Sequence, residues 1–388
     1  MEQKARILSQ TIQGYFATSS YWEYEKSLGH GGYGVAILLR QKAEFGPHTQ
    51  RIALKVALPK AVEELRSEIK WLKARLTITQ NQQQQVHGSK HIVRIIASCD
   101  KPSQPDWDTE PQVQEQQPLP PQTAFNSLAQ LEGPVLALEY IENDSLLSCF
   151  WRMQEDDIHM PNRMLWALFL CLIRACIGMA YPVGSPIGTE PILETIPRDG
   201  RPAGPITHND IAIRNVMLGT GDDLGEHHIG HIFKLIDFGQ ADDTAGPVLG
   251  PTRNLRAVAE LVAFMINMAD INTRRTKIYK GKLTLAGDIL PQYWGNPYEW
   301  LDPDLAGLIA ECMYEDLRNQ PTLEGALRRA ADAVMNKRPG SYPEPGEETN
   351  DVIKRFVQRF VLDHRIVVSL TNDAGLVDIF SMLQIRYN

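Results

Sequence analysis

The chain has 388 residues, of which 43% are hydrophobic, so it can bury a sizeable core and form two or three folding units. Its 39 lysines and arginines against 47 aspartates and glutamates give a net charge of −8, which argues against a protein that mainly coats nucleic acid or an anionic membrane. Five cysteines without C-x-x-C spacing support neither a disulfide framework nor a zinc knuckle, so we expect an intracellular protein in the reducing cytoplasm or nucleus.

The first part of the chain is strand-rich and then turns helical. Residues 21–60 contain short β-type runs around glycines, and residues 60–75 show helical spacing of apolar side chains. The apolar face of that helix would carry Val62, Leu65, Ile69 and Leu72. Segments 79–85, 101–122 and 182–205 are too rich in Gln, Pro or Gly to bury apolar surface, so they are expected to be loops between elements.

From residue 162 onward the spacing is mostly helical. The predicted elements are helices over 165–179, 255–268 and 305–313 and brief strands near Val216 and over 233–236. The longest apolar run, 164–181, contains Arg174, and the opening residues mix charges, so neither a membrane span nor a signal peptide is expected.

Two amphipathic runs close the chain. Their apolar residues are Val352, Ile353, Phe356, Val357 and Phe360 in the first and Leu376, Ile379, Phe380 and Leu383 in the second. Packing on the body of the protein is the favoured interpretation, and a surface for a protein partner is the alternative.

A glycine-rich stretch and a strand lysine form the first chemical signal. LGHGGYGVA places Gly29, Gly31 and Gly34 at G-x-G-x-x-G spacing, but the following VAILLR continues as a strand, which favours a hairpin over a dinucleotide-binding turn and leaves a plain turn open. Lys55 lies inside the apolar strand RIALKVA, where a buried ammonium needs an anion. A solvent-facing lysine on an edge strand is the alternative. Glu68, in EIKWLK of the following helix, is the candidate anion.

The second signal combines two acidic motifs. ITHNDIAIRNVML presents His208, Asp210 and Asn215, and FKLIDFGQAD presents Asp237 at the end of a strand. A carboxylate and an amide five residues apart, followed by a second carboxylate after a short hairpin, suit a base that orients an acceptor together with oxygen ligands for magnesium.

In this order, the motifs resemble those of the eukaryotic protein kinase family over residues 22–335. LGHGGYGVA resembles the glycine-rich loop, IALK the lysine strand, EIKWLK the helix that supplies its glutamate, and HIVRII and VLALEYIENDSL the next strands and the hinge. HNDIAIRN resembles the catalytic loop, IDFG the metal-binding motif, and LDPDLAGLIAECMYEDLRNQPT the closing helices of the large lobe.

The resemblance implies a role for each chemical residue. Gly29, Gly31 and Gly34 would cover the phosphates of ATP, and Lys55, paired with Glu68, would hold the α- and β-phosphates. Asp210 would orient the attacking hydroxyl, and Arg214 would supply a cation beside it. Asn215 and Asp237 would be the ligands of Mg²⁺.

The resemblance also implies a nucleotide pocket and a packed column between the lobes. Adenine would lie against Ala36, Ala53 and Met217, with the backbone of Glu139 and Ile141 as the hinge and Leu138 as gatekeeper. The column would consist of Leu72, Ile95, His208 and Phe238.

The implied fold is an α+β, two-lobed kinase-like fold with an antiparallel small-lobe sheet and a mainly helical large lobe. Its expected divisions are an N-terminal extension over 1–20, a small lobe over 21–141 with an insert over 100–133, a large lobe over 142–337 and a helical extension over 338–388.

Several residues depart from the family pattern. Asn209 replaces the arginine that reads a phosphorylated activation segment, and no A-P-E motif lies in the seventeen residues between Asp237 and Leu255. Gln320 replaces the arginine that would pair with that motif, and Asn254 replaces the aspartate that braces the catalytic loop, which is expected to loosen it. Three functions therefore remain: an ATP-dependent kinase that phosphorylates protein Ser/Thr, a small-molecule phosphotransferase similar to aminoglycoside and choline kinases, or a non-catalytic scaffold that binds nucleotide.

Histidines and cysteines outside these motifs receive structural interpretations. His227, His228 and His231 lie in a polar hairpin without a nearby carboxylate or cysteine to complete a metal site, and Cys171 and Cys176 lie on an apolar helix and are expected in the core.

Overall fold

The computed structural model describes the chain in eleven stretches: 2–30, 34–45, 50–73, 75–77, 83–85, 88–100, 133–183, 190–221, 225–228, 231–269 and 275–362. The strands, in chain order, are β1 (Trp22–His30), β2 (Gly34–Gln41), β3 (Arg51–Ala57), β4 (Arg75–Thr77), β5 (Gln83–Gln85), β6 (Ile95–Cys99), β7 (Val135–Glu139), β8 (Val216–Thr220), β9 (His231–Leu235), β10 (Lys277–Tyr279) and β11 (Lys282–Thr284). The helices are α1 (Glu2–Ala17), α2 (Val62–Lys73), α3 (Leu146–Glu155), α4 (Asn162–Ala180), α5 (Gly246–Asn267), α6 (Pro303–Cys312), α7 (Leu323–Asn336) and α8 (Asn350–Val357).

Five antiparallel strands form the main sheet, in the order β1-β2-β3-β7-β6. Alternation along β3 separates its two faces, because successive side chains of a strand point to opposite sides. Ile52 and Leu54 are buried in a cluster that also contains Phe16 of α1, whereas Ala53 and Ala57 contact the larger core on the other side. Lys55 lies on the same face of β3 as Ala53 and Ala57, so its side chain points toward the larger core.

Helix α1 was not predicted, and it covers the outer face of the sheet. Its residues Ala5, Ile12 and Phe16 are buried against strand residues such as Trp22 and Ile37. Helix α1, from the segment expected to be an N-terminal extension, is therefore part of the packed structure of the sheet.

Helix α4 is the centre of the helical region. It is long and apolar enough to cross a membrane by length and composition, but all of its residues are buried inside the protein, as they are in a core helix. It packs against α5, α7 and β9. The protein is thus an α+β protein, as predicted, with a sheet-rich first part and a helix-rich second part.

Local patterns predicted the existence of elements better than their bounds. The helices expected over 165–179, 255–268 and 305–313 are α4, α5 and α6, and α5 begins nine residues earlier than expected, at Gly246. The prediction of a glutamine-rich loop over 79–85 is wrong in part, because Gln83–Gln85 pairs with Arg75–Thr77 as a short hairpin.

The first amphipathic run near the C-terminus packs on the helical core, where Ile353, Phe356, Val357 and Phe360 are buried. The second run and most of the insert expected over 100–133 lie outside the described residues. The expected divisions at residues 141 and 337 stay predictions.

A carboxylate far along the chain, that of Glu348, caps the central helix. Helix α4 begins after Pro161, whose side chain cannot accept a hydrogen bond, so its first N–H groups lack a local partner. Glu348 is buried and accepts hydrogen bonds from the backbone N–H groups of Asn162 (2.7 Å) and Arg163 (3.0 Å) and from the Asn162 side-chain amide (2.9 Å). The cap that is normally local is here a tertiary contact.

We expect Glu348→Ala to lower the free energy of unfolding by about 2–3 kcal/mol, because buried N–H donors lose their acceptor. Urea denaturation measures the change, with Glu347→Ala as the control, since Glu347 is exposed beside it. Equal midpoints for the two variants would contradict the capping role.

Candidate functional site

Lys55 is held between two carboxylates from distant parts of the chain. Its Nζ lies 2.7 Å from Oε2 of Glu68 on α2 and 3.3 Å from Oδ1 of Asp237, which follows β9. The sheet, the helix and the end of a hairpin therefore meet at one ammonium group. Of the two interpretations of Lys55, the solvent-facing edge lysine is wrong, since β3 lies between β2 and β7.

The charges of this group depend on one another. Burial alone would lower the pKa of Lys55, but Glu68 and Asp237 outweigh burial and raise it, so the ammonium stays protonated. Burial raises the pKa of Glu68, an effect that Lys55 opposes. Burial would likewise raise the pKa of Asp237, but Lys55 reverses that effect and holds it below its usual value. Asp237 is thus a carboxylate, with 43% of its side chain exposed.

Asp237 sits in a strained backbone conformation. Its φ is +65°, in the left-handed region that non-glycine residues rarely adopt. The turn buries the next residue, Phe238, against the ring of His208 at a centroid distance of 4.6 Å. Leu72, Ile95 and Phe238 belong to one apolar cluster, so the members of the expected column lie in or against the same core.

Buried His208 fixes the loop that carries Asp210. Its Nε2 lies 3.1 Å from the carbonyl oxygen of Ile236, and its Nδ1 accepts a hydrogen bond from the N–H of Asp210 at 3.2 Å. Burial lowers the pKa of His208, which favours the neutral ring that this acceptor role requires. The imidazole thus connects the segments that carry Asp210 and Asp237.

Asp210, Arg214 and Asn215 form a second polar group. Arg214 Nη2 donates to Oδ1 of Asp210, and Asn215 Nδ2 donates to its Oδ2 at 2.7 Å and to its backbone carbonyl at 2.9 Å. Both carboxylate oxygens of Asp210 are therefore oriented. A quarter of its side chain remains exposed to solvent.

The β8–β9 hairpin brings the two polar groups together. Asn215 immediately precedes β8, Asp237 lies two residues beyond β9, and Val216 pairs with Leu235 at the open end of the hairpin. The N–H of Ile236 donates to the carbonyl of Asn215 at 2.9 Å. Six of the predicted residues thus gather at one end of this hairpin: Lys55, Glu68, Asp210, Arg214, Asn215 and Asp237.

The residues expected around the nucleotide lie on neighbouring strands or beside the hairpin. Ala36 pairs with Lys55 across β2 and β3, and Ala53 pairs with Leu138 across β3 and β7. Met217 is on β8, and Ile141 is buried just after β7.

The glycines of the expected phosphate loop lie in different surroundings. Gly29 is exposed near the end of β1, and Gly31 lies outside the described residues. A Cβ at Gly34 would lie 2.4 Å from the carbonyl oxygen of Val56. Close strand pairing alone therefore requires glycine at position 34.

Sequence reasoning missed the side-chain role of Glu139, which was expected to offer only backbone. Its Oε1 accepts from Lys234 Nζ at 2.6 Å and from the N–H of Arg94 at 2.9 Å. Lys234 lies within the apolar strand β9 and is mostly buried. The sequence contains a signal for this ion pair, because Lys234 in the apolar run FKLI needs a nearby anion for the same reason as Lys55 in IALK.

Two residues that differ from the protein kinase motifs, Asn209 and Gln320, form hydrogen bonds with nearby backbone carbonyls. Asn209 has φ +61°, and its side chain donates to the carbonyl of Gln240 at 3.1 Å, which ties the loop to the segment after Asp237. Gln320 donates to the carbonyl of Tyr314 at 3.3 Å, and no charge is placed at that position.

Asn254 holds the Asp210 loop, contrary to the expectation that it loosens the loop. Its Oδ1 accepts from the N–H of His208 at 2.9 Å, and its Nδ2 donates to the carbonyl of Ile206 at 2.8 Å. One donor and one acceptor of the backbone face this buried side chain, so only an amide satisfies both.

We expect Asn254→Asp to lower the free energy of unfolding by about 1–3 kcal/mol, because a buried carboxylate oxygen would face the carbonyl of Ile206. Asn296→Asp is the matched control at an exposed position. Urea denaturation at neutral pH compares them, and a stability of Asn254→Asp equal to that of the control would refute the role of the amide.

Comparison with known proteins assigns no family. A scan of the chain against protein-family models finds no match, and a search of curated proteins finds no similar sequence. What the site can do must therefore be inferred from its own side chains.

Proposed function

We propose that the chain is an ATP-dependent phosphotransferase with a two-lobed, kinase-like fold, and that it transfers the γ-phosphate of Mg-ATP to a protein Ser/Thr hydroxyl. The observation that carries the proposal is the convergence of Lys55, Glu68 and Asp237, which lie far apart in the sequence, at distances of 2.7 and 3.3 Å. Phosphoryl transfer needs little covalent work from the protein, so a site for it consists of groups that position and neutralise charge.

Lys55 is suited to a polyanion. Its pKa is raised, so it stays charged, and 29% of its side chain is still accessible. Glu68 is almost fully buried and anchors the ammonium from the inner side. A phosphate that approaches from the open side meets a cation whose position is already fixed, which avoids the entropy of ordering a free lysine.

Asn215 and Asp237 are the residues that would hold Mg²⁺, because carboxylate and amide oxygens are the ligands that this ion prefers. Asn215 donates from its amide nitrogen to Asp210, so its side-chain oxygen would be the atom that binds a cation, and Asp237 is a partly exposed carboxylate. When bound there, the ion would supply positive charge that offsets the negative charge of the phosphates.

Asp210 is the residue that would orient the acceptor. Its carboxylate is held by Asn215 and Arg214 and is partly exposed, so it can accept a hydrogen bond from an incoming hydroxyl. Arg214 adds a positive charge beside the position where the transferred phosphate would carry negative charge.

The adenine end of the pocket would be formed by Ala36, Ala53, Met217 and the backbone of Glu139 and Ile141. The two alanines are small side chains on paired strands, which leaves room for a flat ring against the sheet. The Lys234–Glu139 ion pair lies behind the start of the hinge and fixes it to β9.

A small-molecule acceptor is the second candidate, and one observation favours it. Helix α5 begins at Gly246, nine residues after Asp237, so the segment that would bind a peptide substrate is very short. A protein acceptor would then have to use other surfaces, whereas a metabolite needs only the cleft.

We expect Lys55→Met to lower phosphate transfer at least about 100-fold, because the site loses the cation that positions the phosphates. Asp210→Asn should have a comparable effect through the acceptor. Lys73→Met is the matched control, since Lys73 is exposed at the end of α2. Radiolabel transfer from Mg-ATP measures all three, and transfer by Lys55→Met equal to that of the control would refute the assignment.

A screen of acceptors with the purified chain separates the candidates. Label in generic protein substrates supports the kinase, and ATP consumption that rises only with a metabolite pool supports the small-molecule enzyme. Mg-ATP that raises the melting temperature without any transfer would indicate a nucleotide-binding scaffold. No thermal shift and no transfer would reject all three.

A further inference from the structure

Three potential metal ligands meet in the core away from the candidate site. The ligand atoms of His91, Cys171 and His227 all lie within 4.8 Å of one another, and all three residues are buried. The sequence grouped His227 with His228 and His231, but His228 instead contacts the carbonyl oxygen of Gly225 at 2.9 Å. Cys171 is buried in the core, as expected, and its thiol also faces two imidazoles.

We propose that His91, Cys171 and His227 bind a Zn²⁺ ion. One thiolate and two imidazoles are a ligand set that suits zinc and not the hard cations Mg²⁺ and Ca²⁺. The three ligands come from three segments: the stretch before β6, the middle of α4 and the loop between β8 and β9. The ion would join these segments in the core.

The spacing of the ligand atoms fits a tetrahedral ion. Zinc–nitrogen bonds of about 2.0–2.1 Å place two ligand nitrogens about 3.3 Å apart, and a zinc–sulfur bond of about 2.3 Å places nitrogen and sulfur about 3.6 Å apart. The Nε2 atoms of His91 and His227 are 3.0 Å apart, and the sulfur lies within 4.8 Å of both. Changes of at most about 1.2 Å in these separations, within reach of side-chain rotation, would bring all three ligand atoms into bonding positions.

A buried carboxylate orients the first imidazole. Glu194 Oε2 lies 2.7 Å from Nδ1 of His91, which places the proton on Nδ1 and leaves Nε2 as the ligand atom. The other oxygen of Glu194 accepts from the N–H of His91 at 2.8 Å and from the Ser89 hydroxyl. Carboxylate–histidine pairs of this kind are the usual outer contacts of zinc-binding histidines.

One face of helix α4 packs against the segments that carry His91 and His227. Cys171, Arg174 and Gly178 follow one another at helical spacing on one face. Arg174 pairs with Glu226, next to His227, and donates to the carbonyl of Glu194. A Cβ at Gly178 would lie 2.8 Å from the Ser89 hydroxyl, so the glycine permits the close approach of the His91 segment.

The three residues are at most 4% exposed, so an ion that they held would be shielded from solvent. Three protein ligands leave one tetrahedral position for a small ligand such as water. The alternative without metal is a hydrogen bond between the two facing imidazoles, with the thiol packed beside them. The two possibilities differ in metal content and in spectroscopy, neither of which depends on phosphate transfer.

The direct test is the zinc content of the full chain after dialysis against a metal-free buffer. We expect about one zinc per chain in the wild type and in the control Cys176→Ala, and less than about one tenth of that in Cys171→Ala. Cys176 is the matched control because it is buried on the same helix outside the cluster. Equal zinc in Cys171→Ala and the wild type would overturn the proposal, as would a wild type without zinc.

Replacement of zinc by Co²⁺ tests the ligands without depending on the folding of a variant. In the wild type we expect the absorption of tetrahedral cobalt together with a thiolate-to-cobalt charge-transfer band. Octahedral cobalt without that band would overturn the site, because it would show that no cysteine is a ligand.

A variant of the outer contact gives a graded result. We expect Glu194→Gln to weaken zinc affinity about 10–100-fold in competition with a chromogenic chelator, because His91 loses the carboxylate that orients it. Glu190→Gln, at an exposed position of the same loop, should leave the affinity unchanged. An unchanged affinity in Glu194→Gln would refute His91 as a ligand.

Discussion

The partly buried ammonium of Lys55, inside the main sheet, is the constraint on which the candidate site depends. A lysine in the middle of a sheet is tolerated only when carboxylates compensate its charge, and here they come from α2 and from the end of β9. This need for compensating carboxylates fixes the position of α2 against the sheet. It also places the end of the β8–β9 hairpin next to the sheet and α2. The same three groups that satisfy the electrostatics of folding leave one cation and one carboxylate accessible to a ligand.

Polar side chains that serve the backbone hold the rest of the site in place. Asn254 satisfies one donor and one acceptor of the loop before Asp210, and His208 connects that loop with the turn at Asp237. Glu139 and Lys234 do the same between β7 and β9. Asn254, His208 and Lys234 are buried and Glu139 is partly buried, so the loops near the site are positioned by specific hydrogen bonds as well as by apolar packing.

How much could be predicted from the sequence depended on whether a signal was local. The spacing of apolar residues predicted α2, α4 and α6, and the lysine in RIALKVA together with two acidic motifs identified the residues that meet around Lys55. Contacts between distant residues have no such signal: the meeting of His91, Cys171 and His227, and the cap that Glu348 provides, depend on packing that no short stretch specifies. Asn254 was misjudged because its value depends on an Ile206 carbonyl that only the fold brings near.

The tertiary cap on α4 has a consequence for the order in which the protein folds during synthesis. The acceptor for the first N–H groups of this helix is 186 residues further along the chain. A ribosome that has just released α4 therefore exposes a mostly apolar helix without its cap and without α5 and α7. Completion of this part of the core waits until Glu348 has been synthesised, and until then the helix is exposed to non-native contacts.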